Sequence, residues 1–118
     1  MTSIGIVGDR LVVTMQGLDR LWALRRRIEV PLAHVRGATA DPGVRRESAG
    51  VRAPGTHLPR VITAGTYFKD GDRTFWNLRG SQEAVVIELI GERFARLVLG
   101  VPDARAAAER VERSLSRG

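Results

Sequence analysis

Residues 64–101, AGTYFKDGDRTFWNLRGSQEAVVIELIGERFARLVLGV, decide the fold of this chain. Apolar residues alternate in short runs, and each run ends in a turn signal. Arg60 to Phe68 is expected to be a strand interrupted at Gly65, a bulge or bend. Lys69-Asp70-Gly71-Asp72 is expected to turn the chain, because Asp and Gly tolerate the positive φ that tight hairpins need. Arg73 to Arg79 then places Thr74, Trp76 and Leu78 on one face. After a turn at Gly80 to Glu83, Ala84 to Ile90 puts Val85, Ile87 and Leu89 on one face and Val86 and Glu88 on the other. Gly91-Glu92-Arg93 turns again, and Phe94 to Val101 aims Ala95, Leu97, Leu99 and Val101 inward.

Beyond Val101 the apolar period changes. Pro102 suits a first helical position, and Asp103 supplies a carboxylate to the free amides and the dipole. Ala104, Ala107, Ala108, Val111 and Leu115 recur at helical spacing, and Arg105, Glu109, Arg110, Glu112 and Arg113 lie off that stripe. Asp103 to Ser116 therefore reads as one amphipathic helix, whose small residues permit close approach to a sheet.

Upstream, Thr2 to Val7 and Arg10 to Gln16 form a strand pair around Gly8-Asp9. Leu18 to Arg25 suits one or two helical turns, with Leu18, Leu21 and Trp22 on one face. Arg27 to Val30 is a strand ended by Pro31, and Val35 to Ala40 is a weaker one. Asp41 to Pro59 shows no usable periodicity and carries Pro42, Pro54 and Pro59, although Val44 to Val51 could hold a broken strand.

A length of 118 residues accommodates one domain, 1–118, with a core that needs no metal or disulfide. Cysteine is absent, which excludes disulfides and thiolate metal sites. Residues 1–9 show no basic segment followed by a long apolar one, so no secretory leader is expected, and the expected compartment is the cytoplasm. The net charge of +6 rests on arginine, with Lys69 the sole lysine. Such an excess favours anionic partners. Its plainer reading is compositional, arginine standing for lysine over the whole surface.

Several stretches carry a resemblance. Gly65-Thr66-Tyr67, Asp70-Gly71, Phe75-Trp76, Val85-Val86-Ile87-Glu88-Leu89 and Arg96-Leu97-Val98-Leu99 resemble the bacterial pleckstrin-homology (PH)-like domain proteins of Gram-positive and actinobacterial genomes. Arg27-Ile28-Glu29-Val30-Pro31-Leu32, followed by Val35, is similar to their central strand and turn. The resemblance implies a mainly β fold: antiparallel strands in two packed sheets, a barrel or roll, capped by the Asp103–Ser116 helix. It implies little about activity, because this barrel hosts lipid binding, peptide binding and self-assembly alike. The chain departs from the phosphoinositide-binding members, whose first strand connection is rich in basic residues. Here it is Ile6-Val7-Gly8-Asp9-Arg10-Leu11, too short and too poor in charge to cradle a polyphosphate headgroup.

The candidate interaction surface comprises Trp22, Arg25, Arg26, Arg27, Arg45, Arg46, Tyr67 and Trp76. Arginines 25–27 beside Trp22 resemble a membrane-surface or partner-helix segment, and the bland alternative is a solvated barrel edge. Arg45 and Arg46 make the middle segment basic, but it lacks the aromatics that stack on bases, so nucleic acid is not an expected partner. Tyr67, Phe68, Phe75 and Trp76 cluster on neighbouring strands across one turn; half are expected in the core and half outward, and an outward pair would mark a binding or self-association surface. His34 and His57 lack a partner at a metal or catalytic spacing. Glu88 reads as a cross-strand ion-pair partner. No catalytic residue, metal, cofactor or small-molecule substrate is expected. The expected function is non-catalytic binding, by protein–protein interaction or homo-oligomeric assembly; the alternative is attachment to anionic membranes through the Trp22 and arginine patch.

Overall fold

The computed structural model describes residues 2–15, 27–43, 51–58, 62–69, 71–79 and 82–116, with the backbone alone at 51–58, 62–63, 69, 79 and 116. Nine strands are described: β1 (Thr2–Val7), β2 (Arg10–Met15), β3 (Arg27–Pro31), β4 (Val35–Ala40), β5 (Val51–Leu58), β6 (Ile62–Lys69), β7 (Asp72–Arg79), β8 (Glu83–Leu89) and β9 (Arg96–Val101). A 3-10 turn at Leu32–His34 joins β3 to β4, and the helix α1 (Ala104–Ser116) follows β9. One sheet has the order β1-β2-β3 and the other β4-β8-β9-β7-β6-β5. The fold is thus two β-sheets closed by a C-terminal helix, as the alternation and the change of period predict. No described helix is long and apolar enough to cross a membrane.

The hairpins form where their turn residues demand. Gly8-Asp9 joins Val7 to its partner Arg10, with Gly8 at φ 61°. Gly71, at φ 83°, lies in the link between the paired residues Lys69 and Asp72. Side chains with a Cβ rarely adopt such angles, so glycine sets the register of both pairs.

Three expectations need correction. An eight-residue strand, β5 (Val51–Leu58), lies within the segment that lacks periodicity; the broken strand expected at Val44 to Val51 lies, but for Val51, outside the described residues. Its pairing with β6 shifts register between Arg52 and Gly55, and such a bulge breaks the strict alternation that marks a strand in sequence. Pro102 stands outside the helix: Asp103 is the cap, its Oδ1 accepting from the Ala106 amide at 3.1 Å. Finally, the sheet is not wholly antiparallel. β9 pairs antiparallel with β8 but parallel with β7, Phe75 facing Leu97 and Trp76 facing Val98. The expected helical turns at Leu18–Arg25 lie outside the described residues.

The parallel pair requires the β7–β8 link to pass β9 on its way to the next strand position. Gly100 on β9 makes room at that crossing. A Cβ there would overlap Gln82 Oε1 and stand 3.0 Å from Gln82 Cβ. The far end of the glutamine can swing away; its Cβ belongs to the link itself.

The main core lies between the two sheets and under α1. Leu11, Val13, Met15, Phe75, Val85, Ile87, Leu97 and Leu99 fill it, with Ala104, Ala107, Ala108 and Val111 from the helix. A second cluster, Tyr67, Trp76, Leu78, Ala84, Val86 and Val98, lies on the opposite face of the larger sheet. Both faces of its central strands are therefore buried, which is why 85–87 and 97–99 read as continuous apolar runs.

Helix α1 sits along the seam between β1 and β4. Arg110 Nη1 donates to the Ile4 carbonyl at 2.9 Å, and Glu112 Oε1 accepts from the Ala38 amide at 2.8 Å. Val111, between them, is fully buried.

The crossing and the seam can each be tested. Gly100→Val is expected to lower stability by about 1–3 kcal/mol, the cost of overpacking a filled site, in chemical denaturation; an unchanged midpoint would show that the crossing is slack. Removing residues 103–118 withdraws four buried helix side chains, Val111 alone worth about 1.5–3 kcal/mol. The truncated chain is expected to lose its cooperative calorimetric melt, and retention of a sharp transition would place the helix outside the core.

Candidate interaction surface

Strand polarity gathers the loops at one end of the molecule. β1 ends at Val7, and Asp9 in the following turn accepts a hydrogen bond from the Leu32 amide at 2.8 Å. The 3-10 turn therefore shares this end. So does the β8–β9 loop, because the Ile90 amide donates to the His34 carbonyl at 2.9 Å. The β6–β7 turn joins them: the Ala95 amide, just before β9, donates to the Arg73 carbonyl at 2.8 Å. A further bond, Leu89 N–H to Ala95 carbonyl at 2.9 Å, closes the 90–95 loop on itself. His34 Nδ1 and Glu92 Oε2 make a short side-chain contact that repeats the tie between the 3-10 turn and the loop. The loops at this end are held by backbone bonds rather than left to pivot.

On this frame lies an open groove of about 500 Å³, lined by Phe68, Asp72, Arg73, Ile90, Glu92 and Arg93 among others. Its base is Phe94, which is buried and packs against Phe75 with ring centroids 5.7 Å apart. Ile90 is 57% exposed and Phe68 39%. The Arg73 guanidinium stands 5.2 Å from the Phe68 ring centroid, a cation–π contact that holds the ring at the surface. Asp72 and Arg93 enter no ion pair among the described residues. Val7, at 64% exposed, completes the set: the exposed large hydrophobics among the described residues are Val7, Phe68 and Ile90, and all three stand at this end.

The residues singled out from sequence fare differently. Trp22, Arg25, Arg26, Arg45 and Arg46 lie outside the described residues. Arg27 opens β3 exposed but not free, its Nε 3.3 Å from the Glu29 carboxylate, which Arg10 Nε also approaches at 3.6 Å. Tyr67 and Trp76 are corrected outright as surface residues. They do lie on the face opposite Phe75, but each is only 2% exposed and they meet edge to face at 6.5 Å. That face is itself buried at the centre of the sheet, so pointing away from the main core does not mean pointing to solvent. Gly65, directly across from Trp76 and at φ 116°, brings no side chain against the indole. Glu88 stands across from Arg96 in the β8–β9 register, as its alternation suggests. His34 does have a carboxylate partner, Glu92, at a separation of 58 residues that no spacing rule would reveal.

Ile90 was not singled out from the sequence, and Phe68 only as one of four aromatics around one turn. A faint signal exists: Ile90 directly precedes the turn glycine Gly91, and Phe68 stands three residues before Gly71, next to the end of its strand, where alternation is a weaker guide to burial. Comparison with known protein families, curated proteins and solved structures finds no match to this chain.

Trp76 offers a test of the second cluster. Its Nε1 is buried and has no hydrogen-bond partner among the described residues. An orphan donor carries a desolvation cost of about 1–3 kcal/mol, which phenylalanine removes while giving up some packing. Trp76→Phe is therefore expected to be nearly neutral in thermal unfolding, and Trp76→Ala to cost about 3–5 kcal/mol. Equal losses in the two variants would mean that the indole nitrogen is satisfied after all.

Proposed function

We propose that this chain is a non-catalytic binding module of the PH-like type that works through protein contact at its loop end. One observation carries the reading: the exposed large apolar side chains among the described residues, Val7 and Phe68 at strand ends and Ile90 on the 90–95 loop, share the end of the molecule whose loops are tied by backbone hydrogen bonds. Scattered exposed hydrophobics need no explanation, but a pair lining one groove, rimmed by charge, has the make-up of a contact surface. The PH-like assignment draws support from the hairpins β1–β2 and β6–β7 and from the closing helix; the parallel β7–β9 pair departs from a plain succession of hairpins. His34–Glu92 is read as a clamp rather than a catalytic dyad, because the Ile90–His34 backbone bond runs alongside it.

Attachment to anionic membranes is the alternative use of apolar loop tips. The charge at this end weighs against it. Among the described side chains, the segments 9–10, 71–73 and 90–95 carry Arg10, Arg73 and Arg93 against Asp9, Asp72 and Glu92. A cation near an anionic surface contributes about 1 kcal/mol; an equal number of carboxylates offsets it.

Site-specific photo-crosslinking in cells tests the reading. A photoreactive residue at Ile90 is expected to yield protein adducts that Phe68→Ser removes, and the same residue at Arg105, on the exposed face of α1, is expected to yield none. Lipid adducts alone at position 90, or adducts unaffected by Phe68→Ser, would overturn it.

A further inference from the structure

We infer that the partner at the loop end is a second copy of this chain, docked about a two-fold axis so that Ile90 of each copy enters the groove of the other against Phe68. This rests on the reading of the loop end as a protein contact surface and names its occupant.

The first argument is charge. Each chain carries +6, so two copies repel each other over most approaches. The loop end, where Arg10, Arg73 and Arg93 stand against Asp9, Asp72 and Glu92 among the described side chains, is a place where copies can meet with that penalty reduced. A surface that carries both signs can meet its own copy about a two-fold axis with opposite charges facing each other.

The second argument is reciprocity. A two-fold contact is self-complementary: whatever residue i touches on the partner touches i in return. The groove offers two such matched pairs. Phe68 and Ile90 are both apolar and exposed, one with the Arg73 guanidinium over its ring and the other on the 90–95 loop. Asp72 and Arg93 are opposite charges on the same groove, neither ion-paired among the described residues. Two-fold docking pairs Asp72 of each copy with Arg93 of the other, twice per dimer.

The third argument is elimination of the usual route for β-proteins, pairing at a sheet edge. The β1 edge gives its Ile4 carbonyl to Arg110, and the β4 edge gives its Ala38 amide to Glu112. The β3 edge carries the charged Arg27–Glu29 pair. β5 is broken by its register shift, with Pro54, which has no N–H, inside the break.

Eleven residues line the groove, against roughly 20–30 a side in a standard stable interface, so the dimer is weak and depends on concentration. Sedimentation velocity of the full chain over a hundredfold concentration range tests this, with melting curves confirming that each variant is folded. The wild type is expected to shift from the monomer toward the dimer coefficient. Ile90→Asp is expected to remain monomeric, and so is Arg93→Asp, which sets two carboxylates against each other. Asp72→Arg combined with Arg93→Asp exchanges the charges and is expected to restore the shift. A wild-type dimer unaffected by Ile90→Asp would overturn the inference, as would a charge exchange that fails to restore it in a folded protein. A strict monomer whose Ile90 crosslinks reach a different protein, and are lost in Phe68→Ser, would also overturn it while leaving the contact surface in place. A strict monomer with no protein adducts would overturn both.

Discussion

Three consecutive residues hold this molecule together. Successive residues on a helix project about 100° apart. When Val111 points into the core, Arg110 and Glu112 therefore splay to either side of it. Arg110 reaches the carbonyl of Ile4 on one sheet and Glu112 the amide of Ala38 on the other, so the helix spans the gap between β1 and β4. Backbone groups on both strand edges gain partners from the same turn of helix that buries an apolar side chain between the sheets. The alanines at 104, 107 and 108 belong to this arrangement, since larger side chains would lift the helix off the seam and lengthen both bonds. Glu83 secures the other end of the helix, accepting from the Ala104 amide at 2.9 Å.

With the seam closed, the larger sheet can be buried on both faces. Its centre is β9, flanked by an antiparallel and a parallel neighbour. A central strand of that kind exposes neither edge nor face, and Val98 beside Leu97 and Leu99 is what it demands. The crossing link that makes this possible leaves its mark at Gly100. The arrangement also explains why Tyr67 and Trp76, on the face away from the main core, form a second core instead of a surface.

These commitments limit where the molecule can make outside contact. β1 and β4 are engaged by the helix, β3 is charged, and β5 is interrupted at its bulge. The loop end remains, where strands leave the sheets and apolar residues at their termini run past the core. Phe68 shows the effect: it shares the alternation of Ala64 yet is exposed, because the strand has outrun the layer that would cover it.

Much of this was legible in the residues alone. Alternation and turn chemistry placed β1, β2, β4, β7 and β8 within a residue or two, and the 3.6-residue stripe at 104–115 named the buried face of the helix. These are local properties: the period of an apolar pattern and the φ that glycine permits act within one element. β5 escaped because a bulge breaks its period. The parallel β7–β9 pairing escaped because strand order depends on which edge a hairpin docks against, and no local signal carries that. The same holds for the surface. The residues by themselves established that Thr74, Trp76 and Leu78 share a face, that Phe68 precedes a turn and that the chain is cationic. Only the tertiary structure decided that the shared face is covered, that His34 meets Glu92, and that Phe68 and Ile90, with Asp72 and Arg93, line one groove. Burial and proximity between distant segments are properties of how the sheets pack, and the order of the residues does not state them.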